Sequence, residues 1–292
     1  METAECDQAL VRSGCRYPAC TLDAGAMTQR FIKMHGLGND FVILDARQGA
    51  VAMDAARARA IADRRTGVGC DQVILLEPSD IADLRMRIWN ADGGEVESCG
   101  NASRCVVQLE GGAATIETKG GVISGDAGGV DMGAPKFGWD EIPLAYPMDT
   151  AAMPVAWGEL KAPAAVNVGN PHVIFFVPRA DAVALAGLGP VIETDPLFPE
   201  RVNVNVASVE DGAIRLHVWE RGAGLTLACG TGACATAVAA MRRGLVERRV
   251  NVDLTGGRLV IEWQDDGRIV MTGPATESFR GTFETADYGI PA

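Results

Sequence analysis

Trp89-Asn90 followed by Cys99-Gly100-Asn101 is a motif that the chain contains twice, the second time as Trp219-Glu220-Arg221 followed by Cys229-Gly230-Thr231. In each copy the cysteine lies ten residues after the tryptophan and directly before a glycine. An apolar run rich in small residues then follows. Such a repetition indicates that one structural unit occurs twice in the chain.

The similarity between the two copies extends upstream. Gly38-Asn39 recurs as Gly169-Asn170, and the separation from asparagine to tryptophan is 50 residues in the first copy and 49 in the second. Two units are too few for a solenoid. The sequence therefore predicts a pair of similar domains that face each other across a cleft, with a pseudo-twofold axis placing Cys99 and Cys229 on opposite walls.

The periodicity around the motif predicts the fold class. A helix is expected from Cys99 to about Leu109, and a second over residues 230–241, where residues apolar on nearly every face require surrounding protein. Short strand-like segments flank both helices. Asp54 is expected to cap a further helix running to about Arg65, and a short helix is expected over 182–186. The class is α+β, with two pseudo-symmetric domains, each a curved β-sheet or barrel wrapped around a central helix.

Composition narrows the kind of protein. The chain has 292 residues, enough for about two domains, and a formal net charge of −12. No block of lysine or arginine occurs, which argues against nucleic acid or an anionic membrane as partner. No apolar run has the length of a membrane span, and residues 1–28 lack the pattern of a secretory signal. We predict a cytoplasmic protein in which residues 1–28 are a disordered extension.

The cysteine pattern argues against a metal site. Eight cysteines are present, three of them in residues 1–28, and none forms a C-x-x-C pair. Without a secretory signal, free thiols are expected. Cys70, Cys105 and Cys234 are interpreted as small buried hydrophobic residues. We predict neither a metal nor a cofactor.

A cysteine at a helix N terminus suits acid/base chemistry, because the helix dipole and free amides stabilise its thiolate. The amides of Gly100-Asn101 and Gly230-Thr231 can hold a carboxylate. A thiolate on one side of a carbon atom and a thiol on the other would invert a stereocentre without a cofactor. Cys99 and Cys229 are therefore the predicted catalytic pair.

Polar residues near the motifs are candidates for binding a substrate. Asn39, Asn90, Asn170 and Asn203 follow turns or strand ends, where a lone asparagine is usually a turn former. Arg221 can bind a carboxylate and Glu220 an ammonium group, although the two residues can equally form an exposed ion pair. His172 is a candidate for tuning or relaying a cysteine proton.

Eight stretches in order resemble the diaminopimelate epimerase family. They are Lys33–Phe41 (KMHGLGNDF), Gly69–Gln72 (GCDQ), Asn90–Gly93 (NADG), Cys99–Asn101 (CGN), Gly169–His172 (GNPH), Phe198–Asn203 (FPERVN), Glu220–Gly224 (ERGAG) and Ala228–Gly232 (ACGTG). The resemblance implies an enzyme that needs neither pyridoxal phosphate nor metal and converts LL-2,6-diaminopimelate to the meso form in lysine and peptidoglycan precursor biosynthesis. Two departures are Ala102 in place of a common glycine and Gly94 in place of a serine.

The same resemblance implies residue roles. Cys229 would accept and Cys99 donate the proton in the LL-to-meso direction, with His172 and Glu220 adjusting the thiol pKa values. The implied substrate ligands are Asn39, Gln72, Asn90, Gly100, Asn101, Asn170, Asn203, Glu220, Arg221, Gly230 and Thr231. Phe279 would lie in the contact of a homodimer. The C-terminal segment would return to the first domain, giving domains of 29–143 plus 278–292 and of 144–277.

Three alternatives stay open. A proline or hydroxyproline racemase of the same fold also uses two cysteines, but its substrate has no distant amino-acid end for Asn203 and Arg221. A phenazine-type isomerase of similar architecture lacks paired cysteines. From another class, a thiol redox or binding protein would use Cys99 and Cys229 to close a disulfide.

Overall fold

The computed structural model describes residues 28–127 and 129–289. The predicted extension lies outside this part of the chain except for Thr28, which is the first residue of a strand. The first unit comprises β1 (Thr28–Gly36), β2 (Asn39–Asp45), α1 (Ala55–Ala62), β3 (Gln72–Glu77), β4 (Leu84–Asn90), β5 (Glu95–Val96), α2 (Gly100–Leu109), β6 (Ala114–Thr118), β7 (Gly121–Asp126) and β8 (Gly129–Asp131).

The second unit begins with a small two-stranded sheet, formed by its first two strands. Its elements are β9 (Ala156–Trp157), β10 (Leu160–Lys161), β11 (Ala164–Asn167), β12 (Pro171–Phe176), a 3₁₀ turn (Ala180–Ala182), α3 (Leu185–Glu193), β13 (Asn203–Glu210), β14 (Ala213–Glu220), β15 (Gly224–Thr226), α4 (Gly230–Arg242), β16 (Arg249–Leu254), β17 (Gly257–Trp263) and β18 (Ile269–Thr272). The chain ends with β19 (Thr276–Glu284) and a 3₁₀ turn (Thr285–Tyr288).

Strand pairing repeats between the two units. The parallel pair β2–β3 corresponds to β12–β13, and the antiparallel pair β3–β4 corresponds to β13–β14. The register corresponds as well, since Leu84 pairs with Ile116 and Ile214 with Val252 in the parallel pairs β4–β6 and β14–β16. The duplicated architecture predicted from the motifs is therefore present, and the α+β fold class is confirmed.

Each unit encloses one helix. Ten of the thirteen residues of α4 are buried, and the helix shares a hydrophobic core with strands β11 to β14 and β16 to β18. α2 lies in the equivalent core of the first unit, where Met34, Ile74 and Ile88 surround it. Burying an aliphatic side chain contributes about 1.5–3 kcal/mol. These cores fix the direction of both helices, and hence where their N termini lie.

No helix in the described part of the chain is long and apolar enough to cross a bilayer.

Two strand pairs join the units. β8 pairs with β18, and β19 pairs antiparallel with β1 from Thr28–Glu284 to His35–Thr276. The tail thus returns to the first unit, as the family resemblance implies. The predicted domain boundaries remain a prediction.

Two helices differ from the sequence expectation. α1 is capped by Asp54 as predicted, but it ends at Ala62 rather than near Arg65. The predicted helix at 182–186 is wrong: α3 begins at Leu185 and continues through Pro190 to Glu193. Its glycine at 189 allows close packing, since a Cβ there would lie 2.5 Å from the ring of Trp219. Packing, rather than helix propensity, determines this element.

Candidate active site between two helix N termini

A cavity of about 920 Å³ lies between the two units and is lined by Cys99 and Cys229. Each cysteine is the N-cap residue of its helix, α2 or α4. Cys229 is 4% exposed, whereas Cys99 is half-buried. Both thiols are therefore presented to one enclosed space from the start of a helix.

The two helix starts lie close together. Met271 of β18 packs against both helix starts. A Cβ placed on Gly100 would lie 2.7 Å from Met271 Cε, and a Cβ placed on Gly230 would lie 3.1 Å from Met271 Sδ. The Oδ1 atom of Asn101 is 3.5 Å from the position of a Cβ at Gly230. Small residues are thus required at both helix starts, and they leave the backbone accessible to a ligand.

The two thiols have different surroundings. Burial raises the pKa of Cys99, while the backbone amides of Ala102 and Asn101 act in the opposite direction. Burial raises the pKa of Cys229 well above its ordinary value, and the Glu220 carboxylate raises it further. The N–H of Gly232 donates to Cys229 Sγ at 3.3 Å. Burial thus favours the protonated form of both thiols, while the amides at each helix start favour the thiolate.

Asn39 is held beside Cys99. The thiol of Cys99 points at Asn39 Oδ1 at 3.9 Å, and Asn101 Nδ2 donates to the same oxygen at 3.2 Å. Asn39 Nδ2 donates to Asp71 Oδ2 at 3.1 Å, which fixes the orientation of the amide. Arg64 in turn donates to Asp71 Oδ1 at 2.8 Å. Asp71 was not predicted from the sequence, and it determines which atom of Asn39 faces the thiol.

Glu220 has a corresponding position beside Cys229. The hydroxyl of Thr226 donates to Glu220 Oε1 at 2.5 Å. Burial raises the pKa of Glu220, while hydrogen bonds from Thr226 and Cys229 act in the opposite direction. Thr226 was missed by the sequence analysis. The equivalent residue of the first copy, three positions before its cysteine, is Val96, so a residue-by-residue comparison of the copies would have identified it.

His172 lies beneath the cavity. Its Nδ1 accepts from Asn205 Nδ2 at 3.0 Å, so its Nε2 donates to Asn170 Oδ1 at 2.8 Å. Burial lowers the pKa of His172 to about 3, and the imidazole is therefore neutral near pH 7. These hydrogen bonds orient Asn170, which lines the cavity. A role of His172 in tuning the thiols stays a prediction.

Acidification should test the neutral state of His172. Its pKa falls from 6.5 to about 3 on folding, so its contribution to stability is complete above pH 6.5 and is lost as the pH falls toward 3. The slope is at most about 1.4 kcal/mol per pH unit. We expect His172→Gln to flatten the pH dependence of the free energy of unfolding between pH 7 and 5, measured by urea denaturation. An unchanged slope in His172→Gln would show that folding does not lower the pKa of His172.

Most predicted site residues lie together. The cavity is lined by Asn39, Gln72, Asn90, Cys99, Gly100, Asn101, Asn170, Glu220, Arg221, Cys229, Gly230 and Thr231. Asn203 is buried behind it, donating to Pro171 O at 2.9 Å and accepting from Arg221 N at 2.9 Å. His172 also lies outside the lining. Phe279 is 51% exposed on β19 and packs edge-on against Phe31, away from the cavity.

The cavity contains acceptors that have no donor. Gln72 Oε1 and Asn101 Oδ1 are buried and have no hydrogen-bond partner. Buried amide oxygens that lack a donor are costly, and a cationic or N–H-bearing ligand would satisfy them. Within residues 28–127 and 129–289, no three His, Cys, Asp or Glu side chains are grouped as a metal site needs. The two unpaired amide oxygens thus suit a ligand that carries N–H donors.

Comparison with solved structures shows that the fold is shared. A phenazine biosynthesis protein from Bacillus anthracis aligns with a TM-score of 0.63 at 16% identity, over 88% of this chain and 99% of its own. A hydroxyproline epimerase from Agrobacterium vitis aligns with a TM-score of 0.62 at 17% identity, over 88% and 91% of the two chains.

Sequence relatives are much closer. The diaminopimelate epimerase of Erythrobacter litoralis is 69% identical over 90% of this chain and 100% of its own length. The diaminopimelate epimerase of Rhizorhabdus wittichii is 66% identical over 90% and 98%. The sequence profile described as Diaminopimelate epimerase matches residues 31–137 and 164–277. With this coverage, and with two thiols facing one cavity from paired helix starts, the chain belongs to the diaminopimelate epimerase family.

Proposed function

We propose that the protein interconverts LL-2,6-diaminopimelate and meso-diaminopimelate by a two-thiol mechanism. The observation that carries the proposal is the pair of N-cap cysteines, Cys99 and Cys229, in one cavity. Membership of the family supports the substrate. The enzyme works without pyridoxal phosphate or a metal, since the thiols themselves supply the proton transfers.

The reaction transfers one proton out and one proton in. In the LL-to-meso direction the Cys229 thiolate removes the α-proton, and the electron pair moves into the adjacent carboxylate. The Cys99 thiol then protonates the opposite face, leaving Cys99 as thiolate and Cys229 as thiol. The amides of Gly100-Asn101 and Gly230-Thr231 stabilise the charge on the carboxylate oxygens during this step. Exchange of protons with solvent restores the starting state.

The distal amino-acid end selects diaminopimelate over smaller amino acids. Arg221 lines the cavity and has its Nη1 bonded to Glu200 O at 2.8 Å, so its remaining donors are available for a carboxylate. Asn90 and Asn170 lie in the same cavity and can bind an ammonium group or a carboxylate. Proline and hydroxyproline have no second amino-acid end and would leave these groups unpaired. Asn203 supports this end by holding the backbone N–H of Arg221.

The proposal extends to assembly and location. Phe279 is exposed on β19, and a second copy of the chain would cover it in a homodimer. We assign the enzyme to the cytoplasm, without nucleic acid or membrane as partner, in agreement with the negative net charge of −12.

Hydrogen exchange at the substrate Cα tests the function. Reduced protein in deuterated buffer should incorporate deuterium from LL-diaminopimelate and produce the meso isomer, which NMR measures. Saturating substrate should protect Cys99 and Cys229 from iodoacetamide. Cys105 and Cys234 serve as internal controls, since burial raises the pKa of each to about 12 and both should react slowly with or without substrate. Absence of exchange with diaminopimelate, or exchange with proline instead, would refute the assignment.

A further inference from the structure

Among the residues that the structure describes, Arg104 is a buried arginine that has no acidic partner. It lies on α2, five residues after Cys99, and is only 5% exposed. Its Nη1 contacts Met271 Sδ at 3.4 Å, while Nε and Nη2 are shielded from solvent and have no hydrogen-bond partner. A guanidinium keeps its charge at neutral pH, and a buried charge is normally paired. Within residues 28–127 and 129–289, this charge therefore has no counter-charge in hydrogen-bond contact.

A single side chain separates Arg104 from the helix starts. Met271, which its guanidinium contacts, is the residue that packs beneath Gly100 and Gly230. Residue 104 is about 7.5 Å along the helix axis from Cys99, given a rise of about 1.5 Å per residue. The guanidinium and the two helix starts therefore pack against the same methionine side chain.

The ionisable groups that act on Arg104 are thiols. They are Cys105, Cys99 and Cys234. Burial raises the pKa of Cys105 and of Cys234 to about 12, so both are uncharged at neutral pH. Of the three, only Cys99 lines the cavity. A thiolate formed at Cys99, or an anionic ligand in the cavity, would supply a counter-charge for Arg104.

The surroundings contain two carboxylates that do not pair with Arg104. Glu220, across the cavity, raises the pKa of Cys99 and so opposes Arg104. Asp126 lines a second cavity of about 380 Å³ together with Arg104, and does not act on its charge. In the second unit the position equivalent to Arg104 is Cys234, so α4 carries no cation at this position. The two catalytic thiols are consequently inequivalent.

We propose that Arg104 is a positioning residue of the acid/base step, whose buried guanidinium is the counter-charge for the anion formed by the Cys99 thiolate and the substrate carboxylate. The inference rests on the proposed function, because it assigns the anion to that reaction. Electrostatic attraction through the low-dielectric interior stabilises this anion without direct contact. Glu220 acts oppositely near Cys229, so the protein favours the thiolate on the α2 side.

The test compares Arg104→Met, Arg104→Gln and Arg104→Lys with the wild type. Replacing a buried charge by an apolar side chain of similar size is often tolerated, so the methionine variant should fold, and the glutamine variant provides a second neutral form. We expect the pH profile of iodoacetamide labelling at Cys99, read by peptide mass spectrometry, to move to higher pH by about one unit in both. Each unit lowers the thiolate fraction about tenfold at neutral pH, and kcat should fall with it. Labelling of Cys229 should move less, and lysine should restore most of the Cys99 profile.

A matched control is Arg243→Met. Arg243 is also partly buried, but its guanidinium donates to the carbonyls of Ala151 and Ala162 at the far end of α4. This variant should lose stability without moving the Cys99 profile. An unchanged Cys99 profile in both neutral variants, or no recovery with lysine, would overturn the proposal. The labelling result is independent of substrate identity. A wild type that fails to exchange the diaminopimelate proton would therefore refute the proposed function, while the Cys99 profile would still decide the role of Arg104.

Discussion

Replacing Cys99 or Cys229 by serine is expected to lower epimerisation by about 10²–10⁴-fold, the range that general acid–base catalysis contributes. A serine hydroxyl is a much weaker acid than a thiol, so neither proton removal nor delivery proceeds at a useful rate. Either replacement should suffice, because inversion needs a proton transfer on each face of the carbon atom. The measurement is formation of the meso isomer and deuterium incorporation at Cα, followed by NMR.

Cys70→Ala is the control for the loss of a thiol. Cys70 is buried in a separate core beneath α1, where burial raises the pKa of its thiol to about 11. Its removal should cost some stability but leave turnover intact. If Cys99→Ser kept wild-type turnover, the two-thiol mechanism would be wrong.

The turnover rate of the wild type should also rise from pH 7 toward pH 9, because the raised thiol pKa values limit the thiolate population at neutral pH.

The central helices were predictable from the sequence, because local signals and packing agree there. α2 and α4 begin directly after Cys99 and Cys229, and a glycine follows each helix. α3 was misplaced because its signals conflict with its packing: Gly189 is required for contact with Trp219, and Pro190 lies inside the helix. A sequence pattern cannot distinguish a glycine that ends a helix from one that admits an aromatic ring.

The cavity lining was predictable to the extent that it repeats. Asn39 and Asn170 occupy equivalent places in the two copies, as do the two cysteines. Asp71 and Thr226 were missed because their importance depends on side-chain orientation, through hydrogen bonds to Asn39 and Glu220. Arg104 was missed for a related reason, since its burial without a partner is a property of the packed interface. The positions where the copies differ are therefore the informative ones in a duplicated enzyme.

The second large effect is expected at Gly256, which differs in its surroundings from Gly120, the equivalent glycine of the first copy. Its N–H donates to Leu227 O at 2.7 Å, and a Cβ on it would lie 2.0 Å from Leu37 O in the first unit. Because the obstructing atom belongs to the backbone, no side-chain rotation relieves the clash. Gly256→Ala should therefore separate the two units on this side of the cleft and displace Leu227, two residues before Cys229. We expect a loss of about 1–3 kcal/mol in the free energy of unfolding, typical of overpacking, and about a 10²-fold loss of turnover from misplacement of the thiol.

The matched control for this prediction is the equivalent glycine of the first copy. Gly120 makes the same hydrogen bond, to Glu97 O at 3.1 Å, but a Cβ there would lie 3.5 Å from that oxygen, in ordinary contact. Gly120→Ala should consequently retain stability and turnover in urea denaturation and exchange assays. If both alanine variants behaved alike, the close approach of Leu37 to Gly256 would have no role in holding the units together. A defect confined to Gly256→Ala would show that the close approach of Leu37 to Gly256 helps to hold the two units together on this side of the cleft.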